Sequence, residues 1–295
     1  MKNMYELIQV GTNTYVIDCP AKIGLFVEGE RAFLIDSGND KDAGKKVLKI
    51  LESRGWQLAA ILNTHSHADH IGGNRLLQER TGCPVYAPDA EVAAIRHPWL
   101  EPTTLYGGFP CRALRNKFLM AQPSDVRGLE TLTLPQGMEV IPLPGHTPQM
   151  VGFRTPDSVV FLADCLSGET ILEKYHVSYL YDLEEYLKTL DRVAAMEAAL
   201  FVPAHAPAAT DIRPLAEVNR RKAEEIAGLL RAFCRPGRTA EELLQAVFDH
   251  YDLPMDFNQY VLVGSTIRSY LSALCDRGEI RPDFAGRRLL WCAAD

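Results

Sequence analysis

Over the first 36 positions apolar and polar residues alternate in short runs, at 5–10, 15–18, 23–28 and 32–36, with a Gly29-Glu30 break before the last. A period of two bounded by turn residues predicts strands, here an antiparallel opening. The period then changes. Val47, Leu48, Ile50 and Leu51 form one face of a helix over 40–54 that Gly55 stops. Residues 58–63 read as a buried strand that runs straight into a polar, histidine-rich loop, and helices over 74–80 and 89–96 flank a short strand at 84–87. From 97 to 125 the periodicity fails. Pro98, Pro102, Pro110, Pro123 and the Gly107-Gly108 pair leave an irregular stretch of the kind that serves as a lid or binding loop. Strands resume at 131–134, 139–143, 150–154 and 159–163, followed by a helix over 183–196 and a strand at 200–202.

Past residue 211 the pattern is helical. Helices are expected at 214–233, at 239–250 behind the capping sequence Thr239-Ala240-Glu241-Glu242, and at about 258–277. A hairpin over 279–292 turning at Ala285-Gly286 closes the chain. Three helices and a hairpin is the order of a winged helix, so the chain is expected to divide into 1–210 and 211–295.

Composition narrows the classes. The 295 residues suit one large domain or one large and one small. With 47% hydrophobic and 23% charged residues there is material for a sizeable core. No uncharged apolar run approaches the ~18 residues that span a bilayer, and 1–10 carries Lys2 and Glu6 without an apolar leader, so an uncleaved cytoplasmic protein with no membrane partner is expected. The net charge of −7 argues against an obligate nucleic-acid coat. Residues 211–295 are nearly neutral, with 12 Lys and Arg against 13 Asp and Glu. The seven cysteines are an odd number with no C-x-x-C pair, and read as reduced thiols used for packing.

Of the eight histidines, five carry the metal chemistry, and His97, His176 and His250 remain for substrate contact or the surface. Thr64-His65-Ser66-His67-Ala68-Asp69-His70 puts three imidazoles and a carboxylate in six residues at a strand end, an H-x-H-x-D-H run expected by chance in on the order of a few in ten thousand such sequences. Imidazole is a preferred ligand for zinc and similar metals. His146, Asp164 and His205 each follow an apolar strand, so all can converge on one rim of a sheet sandwich. Seven such residues suit two metals, since a single tetrahedral zinc needs only three protein ligands and water.

The set resembles the metallo-β-lactamase superfamily over about 5–210. The matching pieces are Leu34-Ile35-Asp36-Ser37-Gly38, the H-x-H-x-D-H run with Ile71-Gly72-Gly73-Asn74, Pro144-Gly145-His146-Thr147-Pro148, Ala163-Asp164 and His205. The resemblance implies an α/β fold, an αββα sandwich, here followed by a small helical winged-helix-like domain. It implies two divalent ions, zinc with iron or manganese as alternatives. One would take His65, His67 and His146, the other Asp69, His70 and His205, and Asp164 would bridge. Asp36 is similar to the family's outer carboxylate that orients ligating imidazoles. An aspartate at 164 resembles the glyoxalase II branch rather than the zinc β-lactamases, which carry cysteine there; Cys165 reads as packing.

The expected activity is hydrolysis by a metal-bridging hydroxide, with Asp69 holding the water and accepting its proton. A small ester, thioester or lactone is the first substrate class. Glyoxalase II's glutathione-binding helices are not recognisable, which argues against hydroxyacylglutathione. The alternative is a phosphodiesterase or endoribonuclease acting on single-stranded RNA, with 211–295 presenting Arg268, Arg277, Arg281, Arg287 and Arg288; nucleic acid is not favoured. A pocket cap or a homodimer contact is the other reading of 211–295. A flavodiiron-type redox protein lacks its flavodoxin module. The tyrosine-rich segment 174–181 offers Tyr175, His176 and Tyr179 as substrate contacts.

Overall fold

A computed structural model describes residues 5–294; residues 1–4, among them Lys2, and residue 295 lie outside the described residues. The opening strands β1 (Glu6–Gln9), β2 (Thr14–Asp18), β3 (Ile23–Glu28) and β4 (Arg31–Ile35) form the antiparallel meander expected. Helix α1 (Lys41–Arg54) starts where the Asp40 side chain accepts from the Asp42 and Ala43 backbone N–H groups, and ends at left-handed Gly55. The sheet then turns parallel through β5 (Gln57–Leu62), β6 (Val85–Ala87) and the short β7 (Arg127–Gly128), giving seven strands in chain order. Between them lie α2 (Ala68–Ile71), α3 (Asn74–Thr81), α4 (Asp89–Arg96) and α5 (Leu100–Tyr106).

A second sheet runs β11-β10-β9-β8, from β8 (Glu139–Pro142), β9 (Val151–Arg154), β10 (Val159–Ser167) and β11 (Leu200–His205). Helices α6 (Glu169–Tyr175) and α7 (Leu183–Ala194) connect β10 to its parallel neighbour β11. The strands' period of two builds the layers. Leu25, Ala32 and Leu34 face α1 through Val47 and Leu51, while Phe26, Phe33 and Ile35 meet Phe153, Phe161 and Val202 of the second sheet. On the far side Leu162 and Cys165 of β10 pack against Tyr186 and Leu190 of α7. Helix, sheet, sheet and helix follow in that order, an α/β sandwich.

After residue 211 come α8 (Arg213–Phe233), α9 (Ala240–Tyr251), α10 (Phe257–Asp276) and the hairpin β12 (Ile280–Ala285) with β13 (Arg288–Ala293). Thr239 and Glu242 make the reciprocal capping box at α9. Ile226, Leu230 and Tyr270 of these helices share one core with β10 and α7, so the C-terminal region is packed onto the sandwich. No helix among the described residues is long and apolar enough to cross a membrane.

Three expectations are corrected. The stretch 97–125 is not wholly irregular: α5 forms around Pro102, whose third place in the helix needs no N–H partner. Residues 131–134 make no strand; a 3-10 turn occupies Leu129–Thr131, and Leu132 and Leu134 still pack on the inter-sheet core. The strand at 159–163 continues to Ser167, past Asp164.

Candidate metal centre

Three backbone approaches bring the predicted residues to one rim. The segment after β5, a loop carrying His65 and His67 followed by α2 carrying Asp69 and His70, lies against the loop after β4: a side chain at Gly73 would meet the Ser37 carbonyl oxygen at 2.4 Å, so only glycine fits. The loop after β8 carries His146 behind Gly145, whose φ of +125° and closeness to the Tyr186 backbone again require glycine. In β10 the register shifts on both sides of Ala163, which has a φ of +48°, and this bulge sets the direction of Asp164. His205 is the last residue of β11.

The ligand-capable atoms fall into two groups, each within 4.8 Å: His65, His67 and His146, and Asp69, His70, Asp164 and His205. Asp164 faces both groups, its carboxylate oxygens lying 3.1 Å from His70 Nε2, 3.3 Å from His205 Nε2 and 3.6 Å from His146 Nε2. Asp69 Oδ2 lies 3.2 Å from His205 Nε2 and 3.8 Å from His70 Nε2. Across the first group His146 Nε2 is 2.9 Å from His67 Nδ1.

The outer nitrogens are committed elsewhere. His70 Nδ1 donates to Asp36 Oδ2 at 2.8 Å, His146 Nδ1 to the Tyr179 carbonyl at 3.0 Å, and His205 Nδ1 to the Pro20 carbonyl at 3.0 Å. Asp36 also accepts from the Thr64 backbone N–H and from Thr64 Oγ1, both at 2.8 Å. With its proton given to Asp36, Thr64 Oγ1 accepts from His65 Nδ1 at 3.0 Å. In the neutral form each of these imidazoles, with the tautomer assigned from the network, aims an Nε2 lone pair inward. His65 Nε2 is buried without a hydrogen-bond partner, and the buried His70 Nε2 and Asp164 Oδ1 lie 3.1 Å apart without making an aligned hydrogen bond. Buried polar atoms without partners are costly, and a cation satisfies all three, so the donor set fits a metal.

The electrostatics divide the same way. Burial, with neighbouring imidazoles, holds His65 well below its ordinary value, and burial brings His67 and His146 down to about 4. These three are neutral donors. In the second group burial opposes ionisation of Asp69 and Asp164, but His70 and His205 hold both carboxyls below the usual carboxylate range. Against the same burial, Asp164 and its neighbours hold His70 well above its ordinary value and raise His205 to about 10. Protons occupy there the place a cation would take.

Of the predicted substrate contacts, Tyr175 and Tyr179 line a cavity beside the cluster. The Tyr179 ring packs edge-on at 5.3 Å from His67 and 5.5 Å from His146. His176 is corrected: at a φ of +56° its ring turns away and stacks on Tyr251 of α9 at 4.2 Å. Cys165 is buried, with its thiol pushed up chiefly by burial, and it packs as expected. Sequence reasoning missed Glu91 of α4. It is 3% exposed, accepts from the Ser66 backbone and hydroxyl and from Thr147 Oγ1, and so ties the His65–His67 loop to the His146 loop. Its only sequence signal was a polar residue on an apolar turn of helix.

Comparisons with known proteins agree with this geometry. A family model described as the metallo-beta-lactamase superfamily matches residues 9–205, more than half of the chain. A hydroxyacylglutathione hydrolase of Methylococcus capsulatus is 28% identical over 209 residues, 67% of this chain and 70% of that protein. One of Rhizobium meliloti is 34% identical over 128 residues, 43% of this chain; the chain spans 41% of the length of that relative. Among solved structures, a beta-lactamase domain protein from Burkholderia ambifaria aligns with a TM-score of 0.76 at 16% identity over 100% of this chain and 95% of that one. A metallo-beta-lactamase family protein from Thermus thermophilus aligns at 0.71 and 19% identity, covering 97% of each chain. At those identities the likeness is one of fold.

Proposed function

This chain belongs to the metallo-beta-lactamase superfamily, and from that membership we propose that it is a metal-dependent hydrolase of a small ester, thioester or lactone, with two divalent ions. His65, His67 and His146 would hold the first, Asp69, His70 and His205 the second, and Asp164 would serve both. Zinc suits the imidazole set; iron or manganese are alternatives. The observation that carries the reading is the buried inward donor set, in which His65 Nε2 has no partner and His70 Nε2 and Asp164 Oδ1 meet at 3.1 Å without an aligned hydrogen bond. When bound, the ions supply Lewis-acid polarisation of the substrate oxygen and acidify coordinated water.

The chain's own residues do the rest. Asp69, whose side chain is 40% exposed and the most open of the second group, stays ionised and takes a proton from the attacking water. It returns that proton to the leaving oxygen or sulfur as the carbonyl carbon–heteroatom bond breaks. Asp36 and Thr64 fix the imidazole tautomers, and Tyr179 covers His67 and His146. Residues 211–295 act as a winged-helix-like cap on the catalytic unit 1–210, because α10 lines the cavity beside the cluster. The RNA reading fits less well: Arg268, Arg277 and Arg288 pair with Glu241, Glu184 and Glu242 rather than forming an open phosphate-binding face.

The test offers metal-loaded protein S-lactoylglutathione, p-nitrophenyl esters, bis-p-nitrophenyl phosphate and single-stranded RNA. Ester or thioester turnover that falls at least about a hundredfold in Asp69→Ala is expected. RNA cleavage lost in Asp69→Ala, with no ester turned over, would overturn the reading.

A further inference from the structure

Two cavities open on the clustered side chains, and Tyr179 lines both. One, of about 210 Å³, runs from His146, Asp164 and His205 to Gln259, Leu262 and Val263 of α10. The other, of about 270 Å³, lies between His67, Glu91 and Glu101. No lysine or arginine lines either. The first is walled mostly by hydrocarbon. Its serines, Ser167 and Ser178, hydrogen-bond to each other at 2.9 Å and leave Leu166, Val177, Leu262 and Val263 to face the space.

The far wall is held from both sides. Val261 of α10 packs with Leu105, Leu114 and Leu119 of the 97–125 stretch, and Leu262 packs against the same group. Asn116 Nδ2 donates to Asn258 Oδ1 at 2.9 Å, and the Leu180 backbone N–H donates to Thr266 Oγ1 at 3.2 Å. A fixed apolar wall at a set distance from the reacting centre discriminates chain length, because each methylene gains free energy until it meets the wall.

We infer that this cavity is the acyl subsite of the hydrolase: it takes an uncharged, unbranched acyl chain of about six carbons, ends at Leu262 of α10, and rejects acyl groups that end in a carboxylate. The inference rests on the hydrolase reading and adds its substrate class. Some 210 Å³ at ~30 Å³ per water-sized group holds about seven non-hydrogen atoms. A terminal carboxylate at the Leu262 end would lose its hydration with no lysine or arginine beside it, since the charged His205 lies at the reacting end of the cavity.

The full metal-loaded chain is assayed with p-nitrophenyl esters from acetyl to decanoyl and with the monoglutaryl ester. The expected kcat/KM rises about fourfold per methylene to hexanoyl, falls at decanoyl, and is at least tenfold lower for glutaryl than for pentanoyl. Leu262→Trp lowers the ratio of hexanoyl to acetyl kcat/KM at least tenfold, while Leu262→Ala moves the optimum to longer chains. Calorimetric binding of hexanamide, tighter than acetamide and weakened by Leu262→Trp, reads the same wall without turnover. A flat length profile, a glutaryl preference, or a profile that Leu262→Trp leaves in place overturns the inference while the hydrolase reading stands. If neither these esters nor S-lactoylglutathione is cleaved, the hydrolase reading fails, and hexanamide binding no tighter than acetamide then overturns the subsite as well.

Discussion

The two side-chain groups at the rim sit a few ångströms apart and differ in charge far more than in geometry. His65, His67 and His146 bring three imidazoles that burial keeps neutral, with no carboxylate of their own. Asp69, His70, Asp164 and His205 bring two ionised carboxylates, which hold both imidazoles in their charged form. The first group offers lone pairs alone and, as proposed, would suit metals that favour imidazole, zinc among them. The second offers two negative charges once its imidazole protons leave, so a cation entering it replaces protons as well as filling coordination sites. On the proposed function, one rim would hold a selective site and a more permissive one, with Asp164 within 3.6 Å of nitrogens in both groups.

That contrast can be broken in stages. Asp164→Ala removes the residue common to the two groups, so it is expected to have the largest effect: metal content falls below one equivalent and turnover drops by about a thousandfold or more, read by elemental analysis and ester assay. His65→Ala touches the neutral group only. It should leave about one equivalent of metal in the carboxylate-rich group and cost about a hundredfold in turnover. Asp36→Asn keeps a residue type that tolerates the φ of +61° at this position but presents an amide where carboxylate oxygens accept from Thr64 and His70. A tenfold to hundredfold loss of metal affinity is expected by competition with a chelator, greatest in the group that contains His70.

The smallest effect concerns the histidine that left the site. Burial first, then Lys222, holds His176 below its ordinary 6.5; Glu225 of α8 and His250 of α9 also face it, and Tyr251 lies under its ring. Its folded pKa lies below the unfolded one, so above pH 6.5 the group is neutral in both states and contributes no pH dependence. As pH falls through 6.5 the unfolded chain takes the proton first and stability declines. In His176→Asn the drop in melting temperature between pH 7.5 and 5.5 should shrink by a degree or two.

What the sequence carried, and what it did not, follows chain connectivity. His65, His67, Asp69 and His70 were legible because one short segment holds them all; His146, Asp164 and His205 were legible because each ends an apolar run. The bulge at Ala163 that directs Asp164 leaves no pattern, since an apolar strand with a register shift reads like one without. Tyr175 and Tyr179 reach the cavity whereas His176 does not, because its backbone conformation swings the ring outward. Pro102 suggested a broken segment and instead occupies a first helical turn. Glu91 was invisible because its hydrogen-bond partners, Ser66 and Thr147, are 25 and 56 residues away.

The two-group description is tested most directly by elemental analysis of the purified chain, wild type beside His65→Ala, after loading with zinc and removal of loose metal. Two equivalents in the wild type and one in the variant are expected. One equivalent or less in the wild type, or the same content in both, would contradict it.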